Sequence, residues 1–384
     1  MQQFDLIVVG AGPAGSATAF TAARAGLSVA LLDKTAFPRN KLCGGLFSGR
    51  SKAYFEEIFE TQLHTEIFEE RNRIGFYYDG KALGSEENLT THVTMRLDMD
   101  HHMLGLAISA GAQDFTGIRI DTLDIENAHV CLRGGPTLGY KFLIGADGVN
   151  SLVARTVFGR SFDPAKIGFA LEVESPVQPD IRTESLVRID FNAAAWGYGW
   201  SFPKRGSTTV GLGGLHALNP DMKDKLTKYR DLLDDSRGAK IKGHFLPFGD
   251  YKTSPGQGNI LLVGDAAGFV DPITGEGIAY AMKSGQLAAR AIAQAVHAGN
   301  TALAYQKYKK SIKWIFRSLW IARLVRPIIF GKSSRSFFVK AFSNSRAVKQ
   351  EYLQVLSGQS EYPRLLWLLM RRLPMAFFRD FWRT

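Results

Sequence analysis

Cysteine is nearly missing from this chain of 384 residues: Cys43 and Cys131 are the only two. Two thiols cannot build a disulfide scaffold, and neither has a partner at zinc-ligand spacing, so no metal site is expected. A reducing, cytoplasmic location is the default expectation. Long apolar runs are missing too. No stretch reaches the ~20 residues that cross a bilayer. Nothing ahead of the first strand reads as a basic n-region, an apolar h-region and a cleavage site, so no secretory leader is expected. There are no internal repeats and no low-complexity tracts. Acidic residues run short in one place only. Residues 301–384 carry a net +14, which leaves −3 on the first 300 residues of a chain whose total is +11. The basicity is therefore local, and it does not mark the whole chain as a nucleic-acid binder. With 45% hydrophobic and 22% charged residues, the composition is globular, with length for about two domains or one composite.

What is present begins at the start. Phe4–Val9 is a β-branched apolar run, followed by Gly10-Ala11-Gly12-Pro13-Ala14-Gly15 and an Ala-rich segment to Ala25. That order reads as strand, tight turn and helix, with the turn able to approach a pyrophosphate and the helix N-terminus favouring its charge. A second run, Leu27–Leu32, ends in Asp33, 18 residues past Gly15, where a ribose-binding acid belongs. An ordinary βα turn would account for the glycines but not for the acid. The motif alone leaves NAD and FAD both open.

A Pro/Gly loop follows, from Phe37 to Cys43-Gly44-Gly45. Its Arg39 and Lys41 suit a phosphate or an acidic substrate group, or a solvated basic turn. Cys43 reads as a thiol beside closely approaching backbone, or as a small buried residue. Residues 51–72 are expected to be helical, and Arg73–Tyr78 a strand. Arg96 falls at a strand-to-helix passage, ahead of a helix expected from about His101 to Ala110; His101 and His102 read as exposed helix residues. Strands are expected at Ala112–Ile120 and Ala128–Leu132. A buried strand ends in Gly145-Ala146-Asp147-Gly148, where Asp147 can cap backbone donors or accept from a ribose. Residues 167–175, 184–191 and 207–215 alternate as half-buried antiparallel strands do. Between them, Trp196-Gly197-Tyr198-Gly199-Trp200-Ser201-Phe202-Pro203 interleaves rings with glycines, as the wall of an apolar cavity would. Asn259–Val263 leads to Asp265 and then Gly275-Glu276-Gly277-Ile278, which opens a small-residue helix to Ala295. An Asp at that strand end can hold a ribityl hydroxyl. The helix N-terminus after it suits negative charge on a reduced flavin.

The tail differs. From Tyr305 onward, lysines and arginines interleave with aromatics, and four of the six tryptophans lie beyond residue 300. Such a segment suits contact with anionic lipid, or helices packed on the core with a solvated basic face.

Gly10–Gly15 with Asp33, Gly145–Ser151 and Gly264–Ile278 together resemble the FAD-binding pattern of the single-component flavin monooxygenase and reductase superfamily. Lys41-Leu42-Cys43-Gly44-Gly45 and Tyr198-Gly199-Trp200-Ser201-Phe202-Pro203 are similar to segments of the geranylgeranyl reductase family. The resemblance covers about residues 4–295. It implies an α/β protein of the p-hydroxybenzoate hydroxylase type: a Rossmann-like FAD-binding domain (1–75, 93–165, 255–300), an inserted antiparallel substrate sheet (76–92, 166–254) and a helical C-terminal segment (301–384). FAD would be held by Gly10, Gly12, Pro13, Ala14, Gly15, Asp33, Lys34, Cys43, Gly44, Gly45, Arg96, Asp147, Asp265, Gly275, Gly277 and Ile278, with adenine near Ile118. Cys43, Tyr198 and Trp200 would serve the reaction, which in that family is hydride transfer from reduced FAD to a C=C bond of a polyprenyl lipid. NADPH or a ferredoxin would deliver electrons transiently, since no second nucleotide motif is present. Peripheral membrane contact through 305–384, on the inner face, goes with such a substrate. Two other readings stay open: an FAD monooxygenase acting on an apolar aromatic or polyketide, and a flavin redox sensor without turnover. A flavin halogenase is not expected, because its aromatic signature has Trp where Tyr198 stands and Ile where Phe202 stands.

Overall fold

The computed structural model describes residues 1–176, 186–235 and 240–371, with backbone only at 86–90. The expected strand 184–191 therefore begins outside the described residues, and Arg372 and the rest of the basic tail lie outside them. Among the described residues, the strands form two eight-stranded sheets. The first is the nucleotide-type sheet. Its parallel strands stand in the order Ile260–Leu262, Thr137–Gly145, Gln2–Val9, Val29–Asp33 and Gln113–Thr116. The first four are buried along most of their length, as central parallel strands are, while Gln113–Thr116 is a half-exposed edge. The helices Pro13–Arg24 and Ile278–His297 pack together so closely that a Cβ on Gly285 would lie 2.4 Å from the Ala14 carbonyl oxygen. The strand Ile260–Leu262 pairs with Thr137–Gly145, so this sheet joins strands that lie on either side of the inserted strands 168–246 in sequence.

The second sheet runs Lys242–Leu246, Gly168–Pro176, Ser207–Leu215, Tyr198–Lys204, Leu186–Phe191, Phe68–Tyr78, Lys81–Thr94 and Leu46–Phe47. Every pairing in it is antiparallel except Leu186–Phe191 with Phe68–Tyr78. Phe68–Tyr78 belongs to this sheet along its whole length, across the domain boundary expected at residue 75.

Three local expectations differ from the observed elements. The helix expected over 51–72 covers only Gly49–Phe59. Its apolar stripe (Phe55, Ile58, Phe59) ends there, and Glu60 turns left-handed at φ 55°. The helix expected from His101 starts earlier, at Arg96. The strand expected over 112–120 is split into Gln113–Thr116 and Ile120–Asp124 by Gly117, at φ 82°.

The tail forms helices Ala302–Ser311, Lys313–Phe330, Arg335–Asn344, Arg346–Ser357 and Tyr362–Met370. They are not an appendage. Phe338, Phe342 and Tyr352 are buried against Phe76 and Phe191 of the second sheet, with ring centroids 5.1–5.9 Å apart in the pairs that join the two layers. Edge-to-face packing of this kind adds about 0.5–1.5 kcal/mol per pair beyond area burial. Tyr362 reaches further, donating to both oxygens of buried Asp271 at 2.8 and 2.7 Å. That carboxylate also accepts the Ile273 and Thr274 N–H groups, so the last described helix is tied to the turn before Ile278.

Candidate active site

A cavity of about 710 Å³ lies between the two sheets. Its floor at one end is the opening turn. Gly10 sits at φ 103°, and a Cβ there would overlap the Ala146 carbonyl at 2.4 Å. Gly12, Pro13 and Ala14 line the cavity beside it. The helix Pro13–Arg24 begins with no side-chain cap, so its first N–H groups stay open to a ligand. Gly15 is not on the wall. A Cβ on it would stand 1.7 Å from the Gly10 carbonyl oxygen, so its role is to let the helix close onto the strand.

Two guanidinium groups flank this turn. A Cβ on Gly12 would be 3.4 Å from Arg39 Nη2 and 3.7 Å from Arg96 Nη2. Arg96 forms a bidentate pair with Asp100, at 2.6 and 2.7 Å, and Arg39 Nη2 stands 3.4 Å from the same carboxylate. Burial works against the Arg96 charge, but Asp100 more than offsets it and fixes the group as a cation. Arg39 Nη2 also stands 3.7 Å from Asp33 Oδ2, so two cations meet two acids beside an open helix N-terminus. Arg39 Nε is buried and has no partner among the described residues. An unpaired buried donor beside a glycine turn is what a pyrophosphate would satisfy. Asp33 ends its strand at the same place, accepting the Ala11 N–H at 3.0 Å and the Thr35 N–H at 3.0 Å. Lys34 and Ile118 line the cavity mouth nearby.

Asp147 lies on the wall, but its carboxylate faces its own chain. It accepts from the Ser151 hydroxyl and from the N–H groups of Leu152 (2.6 Å) and Val153 (3.2 Å), capping the helix Leu152–Phe158. Of the two roles the sequence left open, the structure shows capping. Ser151 at the N-cap is the local reason. Asp265 lines the cavity, as do Gly275, Gly277 and Ile278. The helix Ile278–His297 also starts without a side-chain cap, which leaves a positive end facing the space.

At the far end the wall changes character. Alternate residues of strand Tyr198–Lys204 present Tyr198, Trp200, Phe202 and Lys204 on one face. Each supports a neighbour. The Tyr198 hydroxyl donates to the Thr274 carbonyl and stands 2.9 Å from where a Gly275 Cβ would be. Trp200 and Phe202 lie 2.9–3.0 Å from a Cβ on Gly44, and Lys204 Nζ lies 3.0 Å from one on Gly45, which sits at φ 83°. The Cys43-Gly44-Gly45 segment therefore rests directly on the aromatic strand. Cys43, Gly44 and Gly45 all line the cavity.

Sequence reasoning did not assign several groups here. Asp100, His244, Glu172 and the tail residues Tyr352 and Leu356 have no motif of their own. Tyr352 and Leu356 complete the apolar wall with Leu42, Leu46, Ile189 and Leu246. Lys41 Nζ lies 3.1 Å from His244 Nε2, and burial, followed by the charge of Arg96, pushes the Lys41 ammonium down to about 8. Burial pushes Glu276 up to about 7, against the pull of Arg50; its carboxyl also takes hydrogen bonds from Ser48 and Ser51. Among the described residues, no group of His, Cys, Asp and Glu is placed to hold a metal ion.

Residues 5–101 match the family model of FAD dependent oxidoreductases. The chain is 32% identical over 308 residues to a menaquinone reductase of Mycolicibacterium smegmatis, an alignment covering 74% of this chain and 75% of that protein. It is 31% identical over 338 residues to a geranylgeranyl diphosphate reductase of Rhodobacter capsulatus, with 83% of each covered. In three dimensions it superposes on a geranylgeranyl bacteriochlorophyll reductase-like protein of Thermoplasma acidophilum with a TM-score of 0.79, at 23% identity, over 97% of this chain and 96% of that one. The last comparison establishes the fold; the sequence relatives establish the kinship. The two open helix ends, the glycine turn and the unpaired Arg39 donor fit an FAD laid across the first sheet. The chain belongs to the geranylgeranyl reductase family of FAD-dependent oxidoreductases.

Proposed function

We propose that this enzyme saturates C=C bonds of a polyprenyl chain. The observation that carries the reading is one cavity joining two unlike ends: a charged, glycine-lined end built for a dinucleotide and an apolar end walled by aromatic and tail residues, with Cys43 on its lining. Menaquinone and geranylgeranyl diphosphate, named for the relatives, differ in headgroup and share a polyprenyl chain. Bound FAD supplies the hydride. An isolated alkene offers no carbonyl to polarise, so the residues act by holding it in register and excluding water. Trp200, Phe202, Ile189, Tyr352 and Leu356 provide that hold. The Cys43 thiol gives a proton to the second carbon. Tyr198 fixes the Thr274–Gly275 turn beneath the flavin site. NADPH or a ferredoxin is the transient electron donor.

The test begins with anaerobic reduction of the bound flavin, followed by mixing with menaquinone or with geranylgeranyl diphosphate. Reoxidation by lipid, with a gain of two hydrogens that survives exposure to air, is expected. A quinone reduced only in its ring would revert in air and overturn the reading. Reoxidation by oxygen alone would favour the monooxygenase.

The tail also supports peripheral contact with an anionic membrane. Among the described residues, no helix is long and apolar enough to cross a membrane. Two tail helices that pack together, Lys313–Phe330 and Tyr362–Met370, expose Trp320, Leu324, Trp367 and Met370. Lys313, Arg317, Arg323, Arg364 and Arg371 are exposed on and beside them. Because these helices also bury core aromatics, deleting the tail would unfold the site, and surface variants are the proper probe. Trp320→Ala with Trp367→Ala should weaken pelleting with phosphatidylglycerol vesicles by about fivefold or more. Unchanged pelleting would remove the membrane from the proposal.

A further inference from the structure

The Cys43–Gly45 segment has a support that no motif announces. Strand pairing sets Glu172 opposite Gly211, and Gly211 opposite Trp200. Residues paired across adjacent strands project from the same face, so the three form one row under the segment. The middle member is glycine for a reason of space. A Cβ on Gly211 would stand 2.4 Å from Cζ2 and 2.6 Å from Cε2 of Trp200, so the indole lies on the bare backbone between the two flanking strands. At one end of the row, Glu172 Oε1 accepts the Cys43 N–H at 3.0 Å. At the other, Trp200 Nε1 lies 3.0 Å from where a Gly44 Cβ would be. Glu172 is only 5% exposed, and its second oxygen, Oε2, has no partner among the described residues; nor has Trp200 Nε1. A buried carboxyl with one oxygen unpaired is costly to keep and is not needed to fill the sheet.

We propose that Glu172 is a positioning residue: it holds the Cys43 backbone from below, with Trp200 as the lateral stop at Gly44, and thereby sets where the thiol stands in the cavity. The inference rests on the reading that Cys43 works at the reducing end. The groups facing Glu172 are the Cys43 N–H from the loop and Lys204, Glu174 and Lys242 from the strands around it. Burial outweighs the two lysines and pushes the carboxyl up to about 7. Both forms are therefore present near neutrality. The ionised form is the stronger acceptor, so the segment is held more firmly as pH rises through that value.

The experiment uses the full FAD-loaded chain with Cys131→Ser, which leaves Cys43 as the single thiol. Two readouts are taken for the parent, Glu172→Gln and Glu172→Ala: reoxidation of reduced flavin by polyprenyl lipid, and alkylation of Cys43 by iodoacetamide. Both variants remove the charge, and only Ala removes the acceptor. Glu172→Ala should lose about tenfold in lipid reoxidation and alkylate faster than Glu172→Gln. Glu172→Gln should recover most of the lipid rate and lose the parent's rise between about pH 6 and 8. Equal alkylation rates in Gln and Ala, or a pH rise that persists in Gln, overturn the proposal. If Glu172→Ala does not load FAD, the pH profile of Glu172→Gln decides alone. If the parent's flavin is not reoxidised by lipid, the polyprenyl reading fails, and alkylation still decides the role of Glu172.

Discussion

The chain has two glycine-rich segments on one cavity, and glycine does different work in each. At Gly10–Gly15 the obstacle to a side chain is backbone: the Ala146 carbonyl against Gly10 and the Gly10 carbonyl against Gly15. At Gly44 the obstacle is the rings of Trp200 and Phe202. The first segment is shaped by how the main chain must turn between its strand and its helix. The second is shaped at Gly44 by the rings beneath it, while Gly45, at φ 83°, meets the Thr94 carbonyl oxygen 2.1 Å from where its Cβ would be. A backbone obstacle cannot move aside, whereas a ring can shift a few tenths of an ångström. Damage at the first should therefore abolish the cofactor site, and damage at the second should spare it while disturbing chemistry.

Replacing Gly15 by Val sets the largest contrast. No FAD-loaded protein is expected, read by flavin absorbance after purification, and a loaded variant would break the comparison. Gly44→Ala should bind FAD with parental affinity yet lose about tenfold or more in lipid-dependent reoxidation, because the segment rides up off the strand. Loss of FAD instead would mean that both segments serve the cofactor alone. Between the two ends stand Arg96 and Asp100. Removing Asp100 as Asn leaves a buried guanidinium without its counter-charge. Breaking such a pair costs about 3–5 kcal/mol, so thermal unfolding of Asp100→Asn should fall well below the parent with or without FAD. Tyr362→Phe removes the one hydroxyl proton shared by both oxygens of a buried carboxylate. It should lower stability by about 1.5–3 kcal/mol and leave FAD affinity unchanged.

The smallest effect concerns pH. Glu276 has an ordinary value of 4.5 and is pushed up to about 7 by burial. The folded protein therefore holds a proton there that the unfolded chain releases. That contribution is fully present below about 4.5 and is lost as pH rises through about 7. Glu276→Gln should accordingly gain stability relative to the parent at pH 8 compared with pH 5, seen as a thermal shift of a few degrees. No change in the difference between the two pH values would place Glu276 outside the titrating set.

The contrast also explains what could be read in advance. A backbone requirement leaves its mark in consecutive residues, so Gly10–Gly15, Asp33 and the Gly275–Ile278 turn were legible. A requirement set from beneath leaves its mark in distant ones. Glu172 looks like any polar position in an alternating strand, and only the register that sets it opposite Gly211 and below Cys43 gives it a use. Asp147 was ambiguous because an Asp before a helix start and an Asp at a ligand-bearing strand end have the same sequence. Tyr352 and Leu356 were hidden by composition. The tail's basic charge is real, but charge marks the outer face of its helices, and the aromatic spacing of the inner face does not say which sheet will cover it.

The dependence of the cavity on Tyr352 and Leu356 bears on biosynthesis. While the chain is still on the ribosome, the aromatic strand at Tyr198–Lys204 and the Phe76–Phe191 layer are made long before the helix Arg346–Ser357 that roofs them. Through that interval the apolar wall of the cavity is an uncovered greasy face on a half-built protein. It is the stage at which such a chain is most prone to stick to its neighbours or to need a chaperone. The apolar wall of the cavity is thus complete only once the helix Arg346–Ser357 has been made.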